Sequence, residues 1–143
     1  MTEKKSLFKL VILDLDDCLT HEGLELLPPL CEDTLLVLLE LKRLKYIVVL
    51  ASDNENANQI LQNVELIEFF DLVIAYPDDG TMKLTKFDMI ASTFPHINKS
   101  NMILFDDMKT NVDCAIRYGM CGALVNWKKG IGYEEMAKIM GIS

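Results

Sequence analysis

The stretch Phe8 to Leu13 reads as an apolar strand that stops abruptly on Asp14-Leu15-Asp16-Asp17. An apolar run of this kind suits a strand buried on both faces, as strands of a parallel sheet are. The pattern recurs. Tyr46 to Ala51 is a second run, closing on Ser52-Asp53-Asn54, and Met102 to Phe105 is another, closing on Asp106-Asp107. Shorter strands are expected at Leu72 to Ala75 and at Gly122 to Asn126.

Helical patterns fill the intervals. Pro28-Pro29 and the acids Glu32-Asp33 open a Leu-rich helix running to about Lys45, its end marked by Lys42, Arg43 and Lys45, the favourable sign at a helix C-terminus. Further helices are expected over roughly Glu55 to Leu66, Thr85 to Thr93, Thr110 to Tyr118 and Tyr133 to Met140, and Pro77-Asp78-Asp79-Gly80 is the clearest turn. Strands alternating with helices predict an α/β fold, a Rossmann-like doubly wound parallel sheet of about five strands. With 143 residues the chain is expected to be one domain, 1–143, without repeats or low-complexity segments.

The balance of 22 Asp and Glu against 14 Lys and Arg gives a net charge of −8. This argues against nucleic acid or an anionic membrane surface as partner, because phosphate backbones are bound mainly by Lys and Arg. No apolar run approaches the ~20 residues of a membrane span, and the N-terminus lacks the apolar core of a signal peptide, so a cytoplasmic protein is expected. Cys18, Cys31, Cys114 and Cys121 form no Cys-x-x-Cys pair, and with only His21 and His96 to join them a zinc site is not expected. They read as small apolar fillers in a reducing compartment.

Open α/β sheets bind ligands beyond the carboxyl ends of their strands, where strand order reverses. The residues there are acids and a hydroxyl. Asp14, Asp16, Asp17, Asp106 and Asp107 would repel one another at low dielectric unless a cation sat among them. Oxygen ligands without histidine fit Mg²⁺ better than zinc. Caps on the helices that follow would also place Asp and Asn at strand ends, but three such ends together favour a site.

These residues resemble the haloacid-dehalogenase-like phosphohydrolases. Asp14-Leu15-Asp16-Asp17-Cys18-Leu19-Thr20 is similar to their Asp-x-Asp-x-Thr motif, Ser52 to their second, Lys83 to their third-motif lysine, with Lys86 as a rival, and Asp106-Asp107 to the acidic fourth. The order is right and nearly the whole chain is covered. Ala51-Ser52, Ala57-Asn58-Gln59-Ile60-Leu61, Lys83-Leu84-Thr85-Lys86-Phe87 and Ile103-Leu104-Phe105-Asp106-Asp107, followed by Asn111, Val112 and Asp113, resemble most the magnesium-dependent phosphatase-1 group. Cys18 departs from the pattern, standing where Thr or Val is usual and lacking the hydroxyl donor. The short intervals before and after the second strand leave no room for a cap domain.

The resemblance implies a Mg²⁺-dependent phosphatase acting on phosphate monoesters. Asp14 would be the nucleophile forming an aspartyl-phosphate, and Asp16 the general acid and base. Mg²⁺ would be held by Asp14, the carbonyl of Asp16, and Asp107 with Asp106 in support, spacing alone leaving the order of those two acids open. Ser52, Asp53, Lys83 and the backbone at Leu15 would bind the phosphate. The substrate would be a small phosphate ester or a phosphoprotein, phosphotyrosine and sugar phosphates among the candidates. Alternatives are a catalytically silent phosphate-binding scaffold, a phosphotransferase, or a phosphoprotein phosphatase of the RNA-polymerase-tail type. His21 and Trp127 with Lys128-Lys129 are candidates for the site rim, and oligomeric state is not readable from the chain.

Overall fold

In a computed structural model that describes residues 7–22 and 26–142, the apolar runs form a five-stranded sheet. The strands are β1 (Leu10–Leu13), β2 (Ile47–Ser52), β3 (Leu72–Ala75), β4 (Met102–Asp106) and β5 (Cys121–Leu124). They alternate with α1 (Thr34–Arg43), α2 (Ala57–Asn63), α3 (Leu84–Thr93), α4 (Lys109–Tyr118) and α5 (Tyr133–Met140). Every pairing is parallel and the spatial order is β3-β2-β1-β4-β5. The chain therefore steps one way from β1 to β3 and the other way from β4 to β5. The reversal falls between β1 and β4, where such sheets leave a crevice at their carboxyl ends.

Successive side chains of the central strands serve opposite layers, as the period of two requires. Val11, Leu13, Val48, Leu50, Ile103 and Phe105 pack under α1, α2 and α5, meeting Val37, Leu38, Ile60, Leu61 and Met136. Leu10, Ile12, Val49, Ala51, Met102 and Leu104 pack under α3 and α4, meeting Phe87, Ile90, Cys114 and Ala115. All four residues of β1 are fully buried, so the strand needs an apolar side chain at every position. At about 1.5–3 kcal/mol for each fully buried aliphatic side chain, these two layers dominate stability.

Two helix ends differ from expectation. The segment read as one helix from Glu55 to Leu66 ends at Asn63 and continues as a short 3₁₀ turn, Ile67–Phe69. The reason is Glu65, whose φ of 61° is left-handed and lets Leu66 N–H reach back to the Leu61 carbonyl at 2.8 Å. The first helix stops by the same device: Lys45 has φ 64° and Tyr46 N–H reaches the Leu41 carbonyl at 3.0 Å. Strand β5 spans Cys121–Leu124 rather than 122–126, and β1 begins at Leu10.

The loop after β5 turns back onto the loop after β1. Ile131 N–H donates to the Cys18 carbonyl at 2.8 Å, and Gly130 (φ 78°) lies so close that a Cβ there would collide with the Cys31 side chain and that same carbonyl. Asp33, before α1, accepts from Tyr133 N–H at 2.9 Å and so caps α5 from across the fold. Among the described residues no extra helix or strand is inserted between β1 and α1 or between β3 and α3, so no cap domain covers the carboxyl ends of the strands. Among the described residues no helix is long and apolar enough to cross a membrane.

Candidate active site

The register sets the geometry. Leu13, the last residue of β1, lies beside Leu50 of β2 and Phe105 of β4, so Asp14 emerges level with Ala51 and Asp106. Its backbone N–H donates to the Phe105 carbonyl at 3.2 Å. Beyond it the chain winds tightly, the Leu15 carbonyl accepting from the N–H groups of Cys18, Leu19 and Thr20. Asp17 takes a left-handed φ of 59°, which Asp tolerates better than most residues, and its carboxylate accepts from Glu22 N–H. Leu15 itself is anchored by a fully buried side chain.

Lys83 enters from the other side of the crevice. Met82, with φ 57°, turns the chain so that the Lys83 stem lies against the core at the start of α3. Its Nζ donates to Asp106 Oδ2 at 2.6 Å and to the Ala51 carbonyl at 2.7 Å, and lies 3.1 Å from Asp14 Oδ1. Three N–H donors thus meet three acceptors at a side chain only 1% exposed. Burial alone would push this ammonium down, but Asp14 and Asp106 outweigh it and hold the pKa above its ordinary value.

The two acids after β4 have different surroundings. Asp106 is fully buried, and both its oxygens are occupied: Oδ2 accepts from Lys83 and from Asn111 Nδ2 at 3.2 Å, Oδ1 from Met108 N–H at 2.8 Å. Asp107 is partly exposed and lies beside Asp14. Ligand oxygens of Asp14, Asp106 and Asp107 lie within 4.8 Å of one another. Burial pushes the Asp14 carboxyl well up; Lys83 opposes this, and Asp106 and Asp107 reinforce it. Asp107 is also raised, by burial first and with the Asp106 charge adding to it. One ammonium among three carboxylates leaves an excess of negative charge. The donor set is hard oxygen only, with one free-edged acid, Asp107, beside Asp14, and this chemistry fits Mg²⁺.

Asp16 is half-buried and accepts from Asn54 Nδ2 at 3.3 Å. Burial raises its pKa, Asn54 opposes this and Asp17 adds to it, which favours a carboxyl able to hold a proton. Ser52, 1% exposed, accepts from Asn54 N–H through Oγ at 3.0 Å and so keeps its own hydroxyl proton for another acceptor. Asp53 faces away from this group in its bonding: its carboxylate takes Lys86 Nζ at 2.8 Å. Lys86 is buried and stacks over the Tyr76 ring at 3.9 Å, so the lysine that meets Asp14 and Asp106 is Lys83.

The residue that departs from the motif, Cys18, is fully buried, and its thiol approaches the Phe105 carbonyl at 3.8 Å, a weak version of a hydroxyl's bond. Burial, with Asp14 and Asp106, pushes the thiol pKa well up, making it inert. All four cysteines are free. Asp113 pairs with Lys109 at 2.8 Å, and Trp127 carries Lys128 over its ring at 5.6 Å, in the loop that reaches Gly130. A cavity of about 580 Å³ lies between that loop, the start of α1 and α5, lined by Leu36, Leu124, Ile139, Lys129 and Tyr133, and the carboxylate cluster does not open into it.

Two asparagines brace the acids. Asn111 holds Asp106, and Asn54 links Ser52 to Asp16. The only sequence signal for either is an Asn just beyond an acidic strand end.

No protein-family model matches the sequence, and neither does any curated protein. Solved structures do. A haloacid-dehalogenase-like hydrolase from Streptococcus pneumoniae superposes with TM-score 0.70 at 14% identity, over 91% of this chain and 90% of that one. A β-phosphoglucomutase from Clostridium difficile gives 0.72 at 12%, over 94% and 97%. The N-terminal part of a Bacteroides fragilis protein, containing a phosphatase domain complexed with Mg, gives 0.74 at 15%, over 95% of this chain and 41% of that one. With its five parallel strands in the order β3-β2-β1-β4-β5, the chain has the fold of the haloacid-dehalogenase-like hydrolases.

Proposed function

We propose that this protein is a Mg²⁺-dependent phosphomonoesterase of the haloacid-dehalogenase type, nearest in character to the magnesium-dependent phosphatase-1 group. One observation carries the reading: Asp14, Asp106 and Asp107 converge around Lys83 at the strand-order reversal, with Asp16 beside them. The Mg-bound phosphatase domain among the structural neighbours supports it.

Asp14 attacks phosphorus, the bond to the leaving oxygen breaks, and Asp16 gives that oxygen a proton. Water then attacks the phosphorus of the aspartyl-phosphate, the bond from phosphorus to the Asp14 oxygen breaks to release phosphate and regenerate the carboxylate, and Asp16 takes the water's proton. Lys83 is poised for the change in charge. When Asp14 becomes an ester it loses its negative charge, and the longest of the three Lys83 contacts, 3.1 Å to Asp14, is the one released toward a phosphoryl oxygen. The Ser52 hydroxyl and the backbone N–H groups of Leu15 and Asp53 complete the phosphate cradle. Asp14, the Asp16 carbonyl and Asp107 would hold Mg²⁺, with Asp106 as support because its oxygens are already bonded; the ion would neutralise phosphoryl charge.

With no cap inserted among the described residues, the site suits a phosphorylated side chain as well as a small ester. Phosphate release from a panel of aryl phosphates, sugar phosphates and phosphopeptides, with Mg²⁺ and with excess chelator, tests the reading. Turnover with the metal and none under chelation is expected; a folded protein inactive on the whole panel overturns it.

A further inference from the structure

Asn54 has a bonding partner for each of its polar groups. Its N–H donates to Ser52 Oγ at 3.0 Å, its carbonyl accepts from Ala57 N–H at 3.0 Å, its Oδ1 accepts from Asn56 N–H at 2.9 Å, and its Nδ2 donates to Asp16 Oδ2 at 3.3 Å. The set fixes the orientation of the side-chain amide. Turning it over would place an oxygen against the Asp16 carboxylate and an NH₂ against the Asn56 N–H, two repulsive contacts for two bonds. The amide is thus locked to the Asn56 N–H just before α2 and presents a donor, and only a donor, to Asp16.

We propose that Asn54 is the positioning residue for the general acid, resting on the phosphatase reading above: it occupies Oδ2 of Asp16 and so makes Oδ1 the oxygen that carries the transferable proton. An oxygen that accepts from an amide N–H is not the one that holds the acid proton, so protonated Asp16 has its O–H on Oδ1. In the first step that proton passes from Oδ1 to the leaving-group oxygen as the Asp14–phosphorus bond forms and the phosphorus–oxygen bond breaks. In the second step Oδ1 takes a proton from the attacking water. Because the same residue donates to Ser52 Oγ, the acid and a phosphate ligand keep a fixed separation across two different strand ends.

The test uses the full chain with saturating Mg²⁺ and aryl phosphates graded from a good leaving group, 2,4-dinitrophenol, to a poor one, phenol. A good leaving group departs without a proton and a poor one needs it, so an acid-positioning defect shows as a steeper leaving-group dependence of kcat/KM. Two variants are measured. Asn54→Ala removes the side chain, and the isosteric Asn54→Asp keeps the acceptor for Asn56 N–H while removing the donor to Asp16. Both are expected to lose about 10- to 100-fold on phenyl phosphate, at or below the low end of the roughly 10²–10⁴-fold that a general acid contributes because the acid is displaced rather than removed, and about threefold or less on the dinitrophenyl ester. Equal losses on all esters in both variants, or no loss in either, overturn the inference while leaving the phosphatase reading intact. A wild-type protein inactive on every ester overturns both.

Discussion

Two buried lysines stand one helical turn apart, Lys83 at the start of α3 and Lys86 within it, each 1% exposed. Lys83 meets two carboxylates and a carbonyl, with a third carboxylate, Asp107, close by. Lys86 meets one carboxylate, Asp53, and the face of Tyr76. The charges around Lys86 balance one to one, and half of its ion pair is open to water. Those around Lys83 do not balance, and no other cation among the described residues is paired with them. A buried cation with one partner and an aromatic lid holds a loop in place. A buried cation among three acids belongs to a site that expects a further positive charge and an anionic ligand.

The comparison is most easily broken at Lys83. Lys83→Met leaves Asp14 and Asp106 buried without a counter-charge, and removing one partner of a buried ion pair costs about 3–5 kcal/mol. Denaturant unfolding should show that loss, together with turnover reduced by roughly 10³-fold, the scale of a lost oxyanion-type donor. A variant as stable and active as wild type would remove the distinction between the lysines.

The next effect is on the missing charge. Asp14 and Asp107 both have carboxyl pKa values raised chiefly by burial, so the metal-free folded protein holds protons that the unfolded chain releases. Its stability should therefore fall as pH rises from the ordinary carboxylate value of 3.8 through the raised folded values. Lys83 works in the other direction of charge. Its raised pKa contributes stability that is present below 10.5 and lost only above it, outside this window. Mg²⁺ should raise Tm at about pH 8 more than at about pH 5, because only ionised acids hold it. Asp107→Asn should abolish most of the shift, and a shift equal at both pH values would contradict the charge argument.

The smallest effect belongs to Lys86. Lys86→Met should cost about 1 kcal/mol, the scale of an ion pair open on one side plus a cation–π contact, and change kcat by less than about threefold. A double-mutant cycle with Asp53→Asn measures the pair directly, and a coupling of about 0.5–1 kcal/mol is expected. Loss of turnover as deep as in Lys83→Met would place Lys86 in the site.

Much of this arrangement is legible in the sequence, for physical reasons. β1, β2 and β4 are buried on both faces, so they are apolar almost throughout and give way sharply to polar residues at Asp14, Ser52 and Asp106. The preference for Lys83 over Lys86 rests on the family resemblance rather than on spacing, since residues three apart share a helix face and only the tertiary fold says which side chain meets the strand ends. The ends of α1 and α2 are hidden for a related reason. Their left-handed positions are Lys45 and Glu65, where the usual signal is glycine. Asp106 and Asp107 look alike in sequence; they part company only when Lys83, Asn111 and the Met108 N–H close around the first. Asn54 and Asn111 went unassigned because a single asparagine near a helix start reads as a turn residue until its partners are seen.

The central claim is that Asp14 is the nucleophile of a metal-dependent phosphatase, and initial rates of 4-nitrophenyl phosphate hydrolysis with Mg²⁺ for the wild type and for Asp14→Asn test it most directly. The substitution keeps shape and a hydrogen-bonding oxygen beside Lys83 while removing the attacking carboxylate. The account expects clear turnover by the wild type and a loss of at least about 10³-fold in the folded variant, and equal rates for the two proteins would contradict it.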